Sequence, residues 1–143
     1  MRKLLLLLFV LTGMTARSQY YPEDGAIVCV NGTNRFTRAL YGSHTDWRVE
    51  TSDRPVFAVV KKNHHRNIRF RVNGVALDAT DYCRASYVNG MRIYSLRDQR
   101  WGSEAELSLQ VVALPDREGA VWLFDDRHFP APARFEARVC DIA

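Results

Sequence analysis

An antiparallel β-sandwich, all-β and incomplete at its C-terminal end, is the fold this 143-residue chain predicts behind an N-terminal signal peptide. Three observations carry that expectation. Apolar and polar residues alternate with period two in several short runs, as in strands with one buried face. Asn-Gly pairs separate some of these runs, and both residues tolerate the positive φ that a two-residue hairpin turn demands. Outside the leader, no stretch shows apolar residues at a 3.6-residue spacing.

The strand signals follow in order. Ala26–Val30 is apolar and ends at Asn31-Gly32, a turn pair, and Arg35–Tyr41 then runs to Gly42. Val56–Val60 is apolar on both faces, as a central strand would be. Ile68, Phe70 and Val72 alternate with arginines and lead through Asn73-Gly74 into Val75–Leu77. Tyr82–Val88, Asn89-Gly90 and Met91–Leu96 form the clearest hairpin. Ala105, Leu107, Leu109 and Val111 alternate with polar residues, and the adjacent Val111-Val112 requires a bulge or a change of burial. Ala120–Phe124 is an apolar strand, Phe129–Pro132 a proline-held loop, and Phe135, Ala137 and Val139 alternate again. Eight to ten short strands at this spacing read as a sandwich in preference to a barrel. The last strand signal runs close to Ala143, so the domain is expected to be cut short.

Met1-Arg2-Lys3, the apolar run Leu4–Leu11, and small residues at Ala16 and Ser18 have the order of a secretory signal, cut before Gln19. The apolar run is far shorter than the roughly 20 residues a membrane-spanning helix needs. Met14 stands where a lipoprotein signal requires cysteine. The expected organisation is a signal peptide over 1–18 and one exported domain over 19–143, periplasmic or secreted, with no membrane span in the mature chain. The net charge of +4 falls to +1 once Arg2, Lys3 and Arg17 leave. No basic stripe remains for nucleic acid. Nearly all the basic residues of the mature chain are arginines, for which cross-strand ion pairs are the simplest account.

Cys29, Cys83 and Cys140 allow one disulfide with a free thiol, or three separate buried thiols; their wide spacing favours the latter. No paired Cys-x-x-Cys begins a zinc site, and the residues point to no metal and no cofactor. Glu104 and Glu106 share a strand face about 7 Å apart, a spacing that suits either a glycosidase carboxylate pair or a solvated strand face, and alternation favours the second. His64-His65 reads as a solvated link between strands, and Ser43–Asp46 as a polar turn lacking any nucleophile elbow. Asp125-Asp126-Arg127-His128 reads as a loop able to bind a cation or to contribute a carboxylate at the rim of a cleft, and a turn with local side-chain hydrogen bonds is the favoured account. Trp122 is expected in the core and Trp47 half-buried. Trp101 lies in a polar link: an exposed ring would be a platform for a sugar alongside Asp125 and Asp126, and the alternative is a cap over the sandwich core.

One segment is more specific than these. Val30–Gly42, with Asn-Arg-Phe-Thr-Arg-Ala-Leu-Tyr-Gly at its centre, resembles the signature of an uncharacterised family of exported bacterial proteins. Phe57, Asn67–Phe70, Arg92–Tyr94 and Leu109–Leu114 continue the resemblance, which covers about residues 25–143. It implies an N-terminal β-sandwich of longer glycoside hydrolases, whose acid and base lie in a following (α/α)6 toroid. No catalytic residue carries over to this chain. The implied function is that of a non-catalytic sandwich in a polysaccharide-degrading enzyme, with the catalytic domain as partner. In that setting Arg35, Phe36, Arg38 and Tyr41 are the residues expected to dock the following domain, with Phe36 and Leu40 on one strand face. The alternative is a stand-alone secreted module that binds a carbohydrate or a protein. A small self-sufficient enzyme ranks last.

Overall fold

Hairpin chemistry sets the strand order. The computed structural model describes residues 19–33, 35–42 and 46–141. The leader, most of the Ser43–Asp46 turn and Asn34 lie outside the described residues. Among the described residues there are twelve strands: β1 (Tyr20–Glu23), β2 (Ala26–Val30), β3 (Phe36–Tyr41), β4 (Trp47–Ser52), β5 (Val56–Lys61), β6 (His64–Val72), β7 (Val75–Ala76), β8 (Tyr82–Val88), β9 (Met91–Arg97), β10 (Glu106–Ala113), β11 (Ala120–Arg127) and β12 (Phe135–Asp141). Sheet one has the order β1-β2-β8-β9-β10-β11, and sheet two β12-β6-β5-β4-β3, with β7 beside β6. Every pairing is antiparallel. The expected all-β sandwich is what forms.

Asn73-Gly74 and Asn89-Gly90 close the predicted hairpins with φ of 49° and 78°, and 49° and 76°. Asp24-Gly25 makes the same turn between β1 and β2, at 49° and 78°. The sequence reading began at Ala26 and missed β1; its signal was that Asp-Gly pair. Asn31, also at positive φ, does not close a hairpin. Its amide donates to the Cys83 carbonyl (2.8 Å), and its Oδ1 accepts from the Cys83 amide (2.9 Å). The side chain thus extends the β2–β8 ladder before the chain crosses to sheet two.

β5 is buried on both faces, with Phe57 and Val60 fully covered. Phe57 sits at the centre of the core, its ring edge-on to Phe70, Tyr94 and Trp122 at 5.9–6.0 Å between centroids. Leu107, Leu109 and Val111 are buried as the alternation requires. Between Val111 and Val112 the register on both sides stays regular and the alternation of burial continues, so no bulge intervenes and Val112 is an apolar residue on the half-buried outer face. β3 begins beside Tyr20, passes Tyr87 of β8 at Arg38, and ends with Gly42 against Leu114. The segment therefore reaches β1, β8 and the end of β10 in sheet one. A Cβ at Gly42 would lie 2.3 Å from the Leu114 carbonyl oxygen, so only glycine permits that approach.

Four expectations are corrected. His64 and His65 lie inside β6, opposite Lys61 and Val60, because Lys62 and Asn63 make the turn. Asp125 and Asp126 lie in β11, not a loop; pairing with Ser108 and Leu107 of β10 overrides their weak strand propensity. Trp47 is buried, at 8% exposure. Phe36 and Leu40 do not share a face: the register shifts between Phe36 and Arg38, which leaves Leu40 in the core and Phe36 at 43% exposure. Trp122 packs against the core as expected, although only partly covered.

Candidate functional site

The Arg35–Gly42 segment meets the N-terminal hairpin along an open groove of about 540 Å³, lined by Tyr20, Tyr21, Ile27, Arg35, Thr37 and Arg38. Arg35 donates from Nη2 to Gln19 Oε1 (3.0 Å) and to the Tyr20 hydroxyl (3.1 Å). Arg38 donates to the Thr37 carbonyl (2.8 Å), and its guanidinium stands 5.8 Å from the centre of the Tyr87 ring. Among the described residues neither arginine has a carboxylate within ion-pair distance. Most other arginines do: Arg48 pairs with Glu50, Arg84 with Glu23, and Arg97 with Glu106 across the β9–β10 ladder. Around the groove Tyr21, Ile27 and Phe36 are 40–43% exposed, and Tyr41, at the far end of β3, is 55% exposed.

Behind the groove lies a polar centre that the sequence reading missed. Asp53, fully buried, accepts from the Tyr20 hydroxyl, from Thr37 Oγ1 (2.9 Å) and from Arg92 Nη2 (3.2 Å). Its amide donates to the Arg35 carbonyl (3.2 Å), so the signature strand is bonded to Asp53 through both backbone and side chain. Arg92, at 2% exposure, also donates to the Ser52 carbonyl (3.0 Å), which accepts from the Tyr94 hydroxyl (2.6 Å) as well. Arg92 Nε is buried with no partner among the described residues. Arg54 binds the carbonyls of Gly32 and Thr80, each at 2.9 Å. Gly32 is required by space, since a Cβ there would come within 2.6 Å of the Asp53 Cβ and 2.7 Å of Cys29 Sγ. Burial, then the bond to Asp53, raises the Tyr20 pKa, and burial raises that of Tyr94. The signal for Arg92 was its alternation with Tyr94 and Leu96, which puts it on the core face. Nothing local marked Asp53, which sits in a polar link between β4 and β5.

Both thiols near this centre are free. Cys83 Sγ lies 3.6 Å from the Asp53 carbonyl oxygen, and Cys29 is 1% exposed. Cys140 is exposed, which corrects the expectation of three buried thiols. Burial pushes Cys83 up to about 12 from 9.0. The folded chain keeps a proton that the unfolded chain gives up, so the stability from this group is fully present below pH 9 and lost as pH rises toward 12. At about pH 8, a disulfide-exchange reagent is expected to titrate one thiol per native chain and all three after unfolding in guanidinium. Two fast-reacting thiols in the native chain would contradict this burial.

The carbohydrate candidates are not brought together. The Trp101 ring is only 3% exposed, stacks against Phe129 at 5.4 Å, and donates Nε1–H to the Val72 carbonyl (3.0 Å). It is the cap over the core, not an exposed platform. Asp125 and Asp126 project from opposite faces of β11, and Asp125 is held by Arg127 at 2.6 Å. Glu104 precedes β10, while Glu106 lies within it, 3.9 Å from Arg97; both carboxylates are solvated, as alternation favoured. Among the described residues no group of three or more His, Cys, Asp and Glu could hold a metal ion, and no helix is long and apolar enough to cross a membrane. No family model, no curated protein and no solved structure matches this chain.

Proposed function

We propose that this chain is the non-catalytic β-sandwich of an exported polysaccharide-degrading glycoside hydrolase, and that its β3 face docks a following helical-toroid catalytic domain. One observation carries the reading: among the described residues Arg35 and Arg38 have no acidic partner, and they flank exposed aromatic side chains on an edge strand that Asp53 holds in place. Arginine and aromatic residues are the types enriched where proteins meet. An edge strand anchored from behind offers them at little ordering cost. The export leader and the resemblance of the Asn34–Gly42 run supply the polysaccharide-degrading context.

The alternative is a stand-alone carbohydrate-binding module, for which the open groove with Tyr20 and Tyr21 is the better-placed feature now that Trp101 is buried. Calorimetric titration of the chain against a purified (α/α)6-toroid domain of an exported glycoside hydrolase separates the two. Docking predicts saturable binding that weakens about ten-fold or more in an Arg35→Ala, Arg38→Ala double variant and falls with added salt. Absence of toroid binding, together with selective retention on a polysaccharide array, would replace this reading with the carbohydrate-binding one.

A further inference from the structure

A second surface sits on the outer face of sheet two, away from β3. The β6–β12 ladder places Arg138 directly opposite Arg69, and Glu136 opposite Arg71. Side chains two apart share a face, so Arg69, Arg71 and Arg138 project together. Directly opposed residues have Cβ atoms about 4.5–5.5 Å apart, and like charges in that relation destabilise a sheet. The carboxylates nearby do not relieve the repulsion fully. Asp78 lies 3.4 Å from Arg69 Nη1, and Glu136 is engaged by Arg134 at 3.4 Å. Among the described residues Arg71 bonds only the Gly74 carbonyl (3.3 Å), and Arg138 makes no ion pair or hydrogen bond. The three arginines, Asp78 and Glu136 line a cleft of about 570 Å³ beside Ala76, a volume in the range of small-ligand sites.

We infer that this cleft binds the oxyanion of a small organic ligand, a carboxylate or a sulfate ester, held between the opposed guanidinium groups of Arg69 and Arg138. Guanidinium forks match two acceptor oxygens at once. An anion there would turn an unfavourable cross-strand pair into a bridged one. This inference does not rest on the docking reading, since it uses neither β3 nor its arginines.

Thermal unfolding of the full chain at constant ionic strength tests it, with D-galacturonate, sodium sulfate and neutral D-galactose as probes. Binding to the folded state alone raises the midpoint in proportion to ligand excess. The expected result is a rise of several degrees with galacturonate or sulfate and none with galactose. A rise with galacturonate alone marks a carboxylate site, and a rise with both marks a general oxyanion site. The Arg138→Gln variant should melt no lower than the parent without ligand, because a repulsion is removed, and should lose the oxyanion-dependent rise. Sulfate also stabilises proteins by exclusion from their surface, so only the part lost in Arg138→Gln counts as binding. No rise with either anion, or an equal rise in Arg138→Gln, overturns the proposal. So does an Arg138→Gln variant that melts lower than the parent without ligand.

Discussion

Replacing Asp53 with alanine is expected to destabilise the fold by about 3–5 kcal/mol, the usual consequence of removing one partner from a buried ion pair. Arg92 would keep its charge at 2% exposure with no carboxylate beside it. The hydroxyls of Tyr20 and Thr37 would lose their acceptor at the same time. The loss is a large share of the stability of an ordinary domain, so a clear fall in the urea midpoint is expected. Asp53→Asn should cost less, because one acceptor oxygen and the side-chain volume remain. Urea denaturation followed by tryptophan fluorescence measures both. An Asp53→Ala chain within about 1 kcal/mol of the parent would show that the buried pair is not what holds β3 to the hairpin. The comparison also bears on function, since the groove residues Tyr20 and Thr37 take their positions from the same carboxylate.

The second large effect concerns Trp101. Alanine there should cost about 3–5 kcal/mol, the range for truncating a buried aromatic side chain. The cavity would open under Phe129, at the end of the core where the short 3-10 helix Gln99–Trp101 closes the sandwich. Asp98 anchors that helix by accepting from the Arg100 amide (3.0 Å), and the Arg100 side chain holds the Asp98 carboxyl below its ordinary value. Phenylalanine at 101 retains most of the packing but strands the Val72 carbonyl, an intermediate loss of about 1–3 kcal/mol. Chemical denaturation gives both numbers. Had the ring been a sugar platform, alanine would have left stability nearly unchanged and altered only ligand retention.

These two residues show where the sequence was and was not legible. The β8–β9 hairpin and the β10 alternation could be read directly, because a local turn pair and a period of two determine them. Trp101 and Asp53 could not, because both lie in short polar links whose burial is decided by distant strands. Trp101 is covered by Phe129 and bonded to Val72, and Asp53 is surrounded by Tyr20, Thr37 and Arg92. Asp125 and Asp126 fail for a related reason: β10 supplies the partner strand that extends β11 past its apolar stretch. In the signature run the expected strand forms as β3. The bulge between Phe36 and Arg38 was invisible, and it decides which side chains face outward. The arginine-rich surface was anticipated as cross-strand ion pairs, and that holds for Arg84 and Arg97, whereas Arg48 pairs with Glu50 of its own strand. Among the described residues it fails at Arg35, Arg38 and Arg138.

The strand order has a consequence for how the chain folds. β3–β6 and β8–β11 are each a run of neighbouring hairpins that can zip up from local contacts. The terminal strands are exchanged between them. The β1–β2 hairpin joins the sheet of the later run by pairing with β8, and β12 joins the sheet of the earlier run by pairing with β6. Both closures bring together residues at least 54 positions apart, the kind of contact that slows folding. Each half thus lends a strand to the other, and neither meander can complete its sheet without the far end of the chain. The topology predicts that these two reciprocal closures form last, and until they do, the edges of β8 and β6 are open to mispairing.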